Sequence, residues 1–296
     1  MMRSIVPSEL SANEVYQWMI GAITPRPIAF VSTLSNEGIA NLAPFSYFNA
    51  LSSKPAMVAF SVSRKDSATQ PFKDTLVNAH ATGEVVINVV TYNMVRQMAV
   101  ASIAYPPEVN EFEKSGFTPI PSDLVRPHRV KESPIQMEGK VRQIIELGKE
   151  AGAGNLILVE LVKIHVEEAI LDQKGRIDPK ALDIMGRLGR AYYVRVNSDS
   201  IHTIYQASHE MGIGFDQLPQ SAKKSKILTG NDLGQLAGIT TIPAPKEIAE
   251  VRQHALVQAV LNADEPLEQL HFYAQQLLAE ERTALAAQVI WLADTL

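Results

Sequence analysis

TPRPIAFVSTLSNEGIANLAPFSYFN, residues 24–49, reads as a strand, a turn and a second strand. Pro25 and Pro27 fix φ and bias Arg26 away from the helical region, so the entry is extended. Ile28 and Phe30 lead a short buried strand. Ser35-Asn36-Glu37-Gly38 is a turn, with Gly38 free to take positive φ. The return strand, Ile39 to Phe48, is interrupted by Pro44. A proline cannot donate to a ladder, which predicts an edge or a bulge at that position. Asn41, Ser46, Tyr47 and Asn49 sit among the apolar residues of this strand. Buried polar groups need partners, and a bound polar ligand is one way to supply them.

Composition bounds what surrounds this hairpin. The chain has 296 residues, enough for a large core and one or two domains. A hydrophobic fraction of 46% and a charged fraction of 20% fit a soluble globular protein. A net charge of −5 gives no electrostatic case for nucleic acid or an anionic membrane surface. The absence of cysteine excludes disulfides, thiolate nucleophiles and Cys-based metal or iron–sulfur sites. The opening MMRSIVPSEL lacks the apolar core of a signal peptide, and no run approaches about 18 apolar residues. The expectation is a cytoplasmic protein.

Before the hairpin, Ser8 to Ile20 predicts a helix with Ser11 and Glu14 as a capping box and Val15, Trp18 and Met19 as an apolar stripe. After it, Ala56 to Ser61 is a third strand. Ser61 to Thr75 is dense in hydroxyls and cations, with Asp74 or Thr75 as N-cap of a helix over Leu76–Ala81. Hydroxyls, a lysine and free amides at a helix start suit a phosphate. A solvated loop that merely caps a helix has the same composition. Val85 to Val90 is a β-branched strand. Tyr92 to Ala104 has a helical pattern, with Met94, Val95, Met98 and Ala99 inward. Tyr105 to Val130 is irregular and carries Pro106, Pro107, Pro119, Pro121 and Pro127. A long irregular segment of this kind is usually functional or a subunit contact. Ile135–Leu147 and Asn155–Val166 are long strands, the second with Leu156, Leu158, Glu160, Val162, Ile164 and Val166 on one face. Ala191–Val196 closes the sheet.

From about Ser198 strand patterns stop, and Pro245–Leu261 and Pro266–Leu292 read as amphipathic helices. The expected domains are therefore 1–197 and 198–296.

Familiar catalytic signatures are absent. No GxGxxG follows a strand and no Walker loop occurs, which disfavours a Rossmann domain and a phosphate-loop ATPase. There is no GxSxG elbow. Among the histidines, only His202 and His209 fall roughly on one helical face, and a solvated or core role is the simpler account of them. Glu167-Glu168 reads as an exposed strand end. Arg187-Leu188-Gly189-Arg190, ahead of Tyr192-Tyr193, is either a surface turn or an arginine set against an anion or a flat ring.

The blocks TPRPIAFVST, GIANLAPFSYFN, KDTLVNAHATGEVVINVV, NEFEKSGFTPIPS, RVKESPIQMEGKV and MGRLGRAYYVR, in this order, resemble the flavin reductase-like proteins with an FMN-binding split barrel, a flavoprotein oxygenase-associated group. The resemblance runs from about Thr24 to Arg195. It implies a mainly β fold: a six-stranded antiparallel Greek-key split β-barrel with flanking helices, here followed by a C-terminal helical extension. It implies a homodimer with FMN near the interface, NAD(P)H as co-substrate, and a partner oxygenase or other electron acceptor. No catalytic side chain is needed, because the flavin carries the chemistry. Carried over by motif, Arg26, Ser32 and Thr33 line the flavin, and Asn41, Ala43, Ser46, Tyr47 and Phe48 continue the wall. Ser61, Ser63, Lys73 and Thr75 hold the phosphate, Asn78 fixes their helix, and Arg187 lies nearby. The stretch between Ser63 and Lys73 is longer than the family pattern, and typical members end near the RLG block. Competing expectations are a non-catalytic electron carrier or flavin store, and a barrel scaffold whose C-terminal helices bind a protein.

Overall fold

The computed structural model describes residues 1–204 and 210–296, so the placing of His202 and His209 on one helical face lies outside the described residues. Two compact units emerge, Met1–His202 and Thr203–Leu296. The first unit begins with α1 (Ala12–Ala22), β1 (Ala29–Leu34), β2 (Ala40–Phe45), β3 (Phe48–Ser53) and β4 (Ala56–Ser63). Next come α2 (Asp74–Thr82), β5 (Glu84–Val89), α3 (Val95–Val100), α4 (Glu111–Ser115), β6 (Pro119–Ile120) and β7 (Arg129–Val130). It ends with β8 (Ile135–Glu146), β9 (Gly154–Val166), α5 (Pro179–Leu182), β10 (Met185–Arg187) and β11 (Tyr193–Arg195).

One antiparallel sheet of seven strands has the order β2-β1-β5-β8-β9-β4-β3. Strands β2 and β3 are separated in sequence only by Ser46 and Tyr47, yet they occupy opposite ends of that order. The sheet must therefore curl until its two ends meet at this corner, where the Ser61 amide donates to the Tyr47 carbonyl at 2.8 Å. The expected single return strand is two strands divided at the corner, and the main sheet has seven strands. Pro44 lies opposite Phe30 in the outermost strand β2, where its missing donor costs no ladder bond.

Strand β1 is buried along almost its whole length because both faces are covered. Ala29 and Val31 pack inside the roll with Phe60, Val85, Ile87 and Ile157, and α2 adds Leu76 and Ala79. On the other face Phe30 packs with Met94, Met98 and Phe112, and its ring meets Phe117 edge-on at 5.2 Å. Burying one such side chain contributes about 1.5–3 kcal/mol. In β9 the buried face is Asn155, Ile157 and Val159, and the Leu156–Val166 series faces outward.

Several local expectations need correction. The Ser11–Glu14 capping box is present, but Trp18 and Met19 are exposed and only Ile20 of α1 is buried. Helix α2 starts at Asp74, two residues earlier than expected. Its N-cap position is Lys73, whose ammonium has no acceptor to offer the helix amides, and the Thr75 hydroxyl donates to Asn41. Helix α3 is short and Ala99 is exposed. The Ala191–Val196 segment does not join the main sheet: β11 pairs with β10 in a separate ribbon.

The second unit is helical: α6 (Gln220–Lys223), α7 (Gly230–Ala237), α8 (Pro245–Arg252), α9 (Ala255–Leu261), α10 (Pro266–Ala279) and α11 (Thr283–Ala293). Each long helix expected there is broken into two. Its own core contains Leu236, Val251, Val257, Leu270, Leu277 and Ile290. Among the described residues no helix is long and apolar enough to cross a membrane.

Candidate functional site

The β1–β2 pairing sets Thr33 opposite Asn41. Helix α2 presents Thr75 and Asn78, three residues apart and so on one face, to that pair. Thr75 Oγ1 donates to Asn41 Oδ1 at 2.7 Å, and Thr33 Oγ1 donates to the same oxygen at 3.1 Å. Asn78 Nδ2 donates to Thr33 Oγ1 at 3.1 Å. At the other end, Asn41 Nδ2 donates to Glu111 Oε2 at 3.1 Å, and the Leu42 amide donates to that oxygen at 3.0 Å. All five side chains are buried. Burial raises the Glu111 pKa above its ordinary value, against the lowering effect of the Leu42 and Asn41 donors. Thr33 and Asn41, expected to line the flavin, and Thr75, expected to hold its phosphate, thus commit their polar groups to one another, and Asn78, expected to fix the helix, donates to Thr33. A single sequence cannot show which buried polar groups satisfy each other.

The start of α2 is different. The amides of Asp74 and Thr75 make no hydrogen bond among the described residues. Lys73 is exposed overall, yet its ammonium lies 5.7 Å from the Phe45 ring centroid. Partial burial of the ammonium, and secondly the charge of Lys65, lower its pKa. The Arg64 guanidinium lies 4.5 Å from the Phe72 ring centroid. Among the described residues, Arg64, Lys65 and Lys73 form no ion pair. Free helix-start amides beside cations that form no ion pair among the described residues are the kind of donor set an anion takes.

A groove of about 790 Å³ is walled by Tyr16, Met19, Tyr47, Phe48 and Leu156 and reaches Ser61 and Ser63. Gly154 keeps it open: a Cβ there would come within 2.7 Å of Ser61 Oγ. Ser63 leads directly into Arg64 and the cationic loop. No hydrogen bond among the described residues joins Ser61 or Ser63 to Lys73 or Thr75, so the four expected phosphate ligands do not form one bonded cluster.

Arg26 is buried and its guanidinium is already engaged. Nη1 donates to the carbonyls of Ile20 (2.8 Å) and Ile23 (2.6 Å), Nη2 to that of Leu188 (3.2 Å), and Nε to Ser46 Oγ (3.3 Å). It ties the orphan carbonyls of the α1 terminus to the sheet corner. Ser32 is fully buried and its Oγ has no partner among the described residues. Neither residue offers an accessible group to a ligand. Ala43 is half-buried in β2. Arg187 exchanges backbone hydrogen bonds with Arg26, and its guanidinium lies 4.4 Å from the Tyr193 ring centroid.

Glu111 was not singled out in the sequence. Its signals were the Asn110 cap before it and Gly116 after it, which bound a one-turn helix inside the irregular segment. Another buried carboxylate, Glu138, accepts the amides of Asp123 (2.9 Å) and Leu124 (2.6 Å) and pairs with His165 Nε2 (2.7 Å). Asp123, Glu138 and His165 are close enough to share a cation, but Asp123 is already paired with Lys163.

The sequence profile described as "Flavin reductase like domain" matches residues 21–182. An uncharacterized protein of Aquifex aeolicus is 37% identical over 190 residues, covering 64% of this chain and 94% of that protein. An uncharacterized protein of Halalkalibacterium halodurans is 40% identical over 189 residues, covering 63% and 89% respectively. Nitrilotriacetate monooxygenase component B from Bacillus cereus has a similar structure, with TM-score 0.63 and 32% identity over 70% of this chain and 98% of that one. The Pseudomonas fluorescens 2-nitrobenzoate 2-nitroreductase gives TM-score 0.61 and 28% identity, again over 70% and 98%.

Proposed function

The chain belongs to the flavin reductase-like domain family and has its split-barrel fold, and from that premise we propose that the first unit binds FMN and reduces it with NAD(P)H. The observation that carries this reading is the uncapped start of α2, with Lys73, Lys65 and Arg64 unpaired around it. The Asp74 and Thr75 amides would take the phosphate oxygens, and the cations would balance its charge. The groove suits the rest of the molecule. Tyr47 and Phe48 of the groove would give the ring an apolar wall, and the Ser61 and Ser63 hydroxyls would serve the ribityl chain.

When bound, the flavin supplies the redox chemistry, accepting hydride from a reduced nicotinamide. The protein holds the cofactor by its phosphate, orients its ring against the groove wall and excludes water from the ring face on that side. We extend the proposal to a cytoplasmic homodimer with FMN near the interface, because the groove is flanked by exposed Met19, Leu51 and Leu147. The similarity to a monooxygenase component B supports an oxygenase as electron acceptor.

The test is the visible spectrum of the purified protein after FMN loading and desalting, then anaerobic addition of NADH or NADPH. A yellow sample that bleaches supports the reductase. One that stays yellow under either donor indicates a carrier or flavin store. A sample that retains no flavin and shows no FMN-dependent thermal shift overturns the reading.

A further inference from the structure

Glu111 is the first residue of α4, a single turn whose cap Asn110 accepts the Phe112 amide at 3.0 Å. Phe112 anchors this turn in the core that contains Phe30. One carboxylate oxygen, Oε2, accepts both the Leu42 amide and Asn41 Nδ2. That second bond decides which way the Asn41 amide faces. With its NH2 toward Glu111, its carbonyl must face Thr33 and Thr75, and only then can both hydroxyls donate to it. Turned over, Asn41 would set its carbonyl against a carboxylate oxygen and lose the common acceptor of two hydroxyls. Glu111 therefore gives the buried chain its polarity.

The far end of the chain is Thr75, the second residue of α2, whose amide is one of the two free donors at the helix start. We infer that Glu111 is a positioning residue for the phosphate-binding end of α2, acting through Asn41 on Thr75. This rests on reading that helix start as the phosphate site. A carboxylate outside the site thereby sets the aim of amides that receive an anion, without touching it.

Riboflavin keeps the ring and ribityl chain of FMN but lacks the phosphate. The ratio of the riboflavin Kd to the FMN Kd therefore isolates the phosphate contacts from general loosening of the groove. Both constants are measured by flavin fluorescence titration on the full chain, for wild type, Glu111→Ala, Glu111→Gln and Thr75→Val. The FMN preference falls roughly tenfold in Glu111→Ala and Thr75→Val, the scale of one charge-assisted hydrogen bond. It persists in Glu111→Gln, whose amide oxygen still accepts both donors. If Glu111→Ala fails to fold, Thr75→Val carries the test, since it removes one hydroxyl at nearly constant volume. An unchanged preference in Thr75→Val, or both flavins weakening together, overturns the inference and leaves the phosphate site standing. A loss in Glu111→Gln equal to that in Glu111→Ala also overturns it. Wild type with no preference for FMN overturns the phosphate site and this inference with it.

Discussion

Thr75 Oγ1 donates to Asn41 Oδ1 across 2.7 Å, joining the first turn of α2 to the outermost strand of the rolled sheet. Asn41 is the hub of this contact, since it also serves Thr33 and Glu111. Replacing it by leucine, of similar size, leaves the Thr75 hydroxyl without its partner, takes the acceptor from the Thr33 hydroxyl, and leaves the Glu111 carboxylate with the Leu42 amide alone. An unpaired buried polar group costs about 1–3 kcal/mol, and more when charged. Asn41→Leu should therefore destabilise the first unit by about 3 kcal/mol or more. The two tryptophans fall one in each unit, Trp18 and Trp291. Denaturant unfolding followed by Trp18 fluorescence in a Trp291→Phe background reads the first unit alone. A change below about 1 kcal/mol would mean the chain is not held together in this way.

Lys73 tests the anion site from outside the buried chain. Its ammonium has no carboxylate partner among the described residues, so removing it leaves no orphan charge behind. Lys73→Ala should weaken FMN binding roughly tenfold or more and leave riboflavin binding unchanged. The FMN Kd of wild type should also rise with salt more steeply than that of the variant. Equal losses for both flavins would assign Lys73 to the groove wall instead.

Gly139 tests the roll. It sits at a register shift in β8, and a Cβ there would drive into Val159 Cγ1, which is fully buried. Overpacking of this kind costs about 1–3 kcal/mol. Gly139→Ala should lower the unfolding midpoint of the first unit by an amount in that range, whereas alanine at Gly21, whose Cβ would meet nothing, should not.

Much of the fold was legible because its signals are local. The Pro44 interruption marked an edge, the Ser11–Glu14 box marked a helix start, and Gly38 took the positive φ its turn required. The corner at Ser46-Tyr47 was not legible, since a serine alone, with no glycine, asparagine or aspartate beside it, is a weak turn signal and the polar–apolar mixture runs through it. The site was half legible for a related reason. Tyr47, Phe48, Ser61 and Ser63 do share a groove. Arg26 pairs with backbone carbonyls that include Leu188, 162 positions away, and no side chain in the sequence announces a carbonyl partner. Asn41 and Thr75 were recognisable as polar groups in need of partners, but Glu111, the residue that orients them, looked like part of a proline-rich loop.

Two buried carboxylates should respond to pH in opposite senses. For Glu138, burial acts upward, but the Asp123 amide, the His165 ring and the Leu124 amide outweigh it, so its folded pKa lies below 4.5. Its contribution is complete above 4.5 and is lost as pH falls through the folded value. Glu111 has a raised folded pKa, so its contribution is complete below 4.5 and is lost as pH rises through the folded value. The stability advantage of wild type over Glu138→Gln should shrink as pH falls below 4.5. Wild type should instead gain on Glu111→Gln as pH falls toward 4.5. Denaturant unfolding of the first unit at a series of pH values checks both, and slopes of the same sign would contradict the assignments.

In the second unit, His271 of α10 is buried and its Nε2 has no hydrogen-bond partner among the described residues. Burial lowers its pKa from 6.5, outweighing the opposing charges of Glu268 and Asp294. The folded unit therefore holds the ring neutral while the unfolded chain takes up a proton. Stability from this position is complete above 6.5 and is lost as pH falls from 6.5 toward the folded value. His271→Leu replaces an unsatisfied ring with an apolar side chain of similar reach, and should add about 1 kcal/mol at neutral pH. It should also flatten the acid dependence of the second unit. Trp291 fluorescence in a Trp18→Phe background follows this unit alone. If the variant and wild type lose stability in parallel on acidification, the ring is not the group that takes up the proton, and the acid sensitivity of the helical unit belongs to its surface carboxylates.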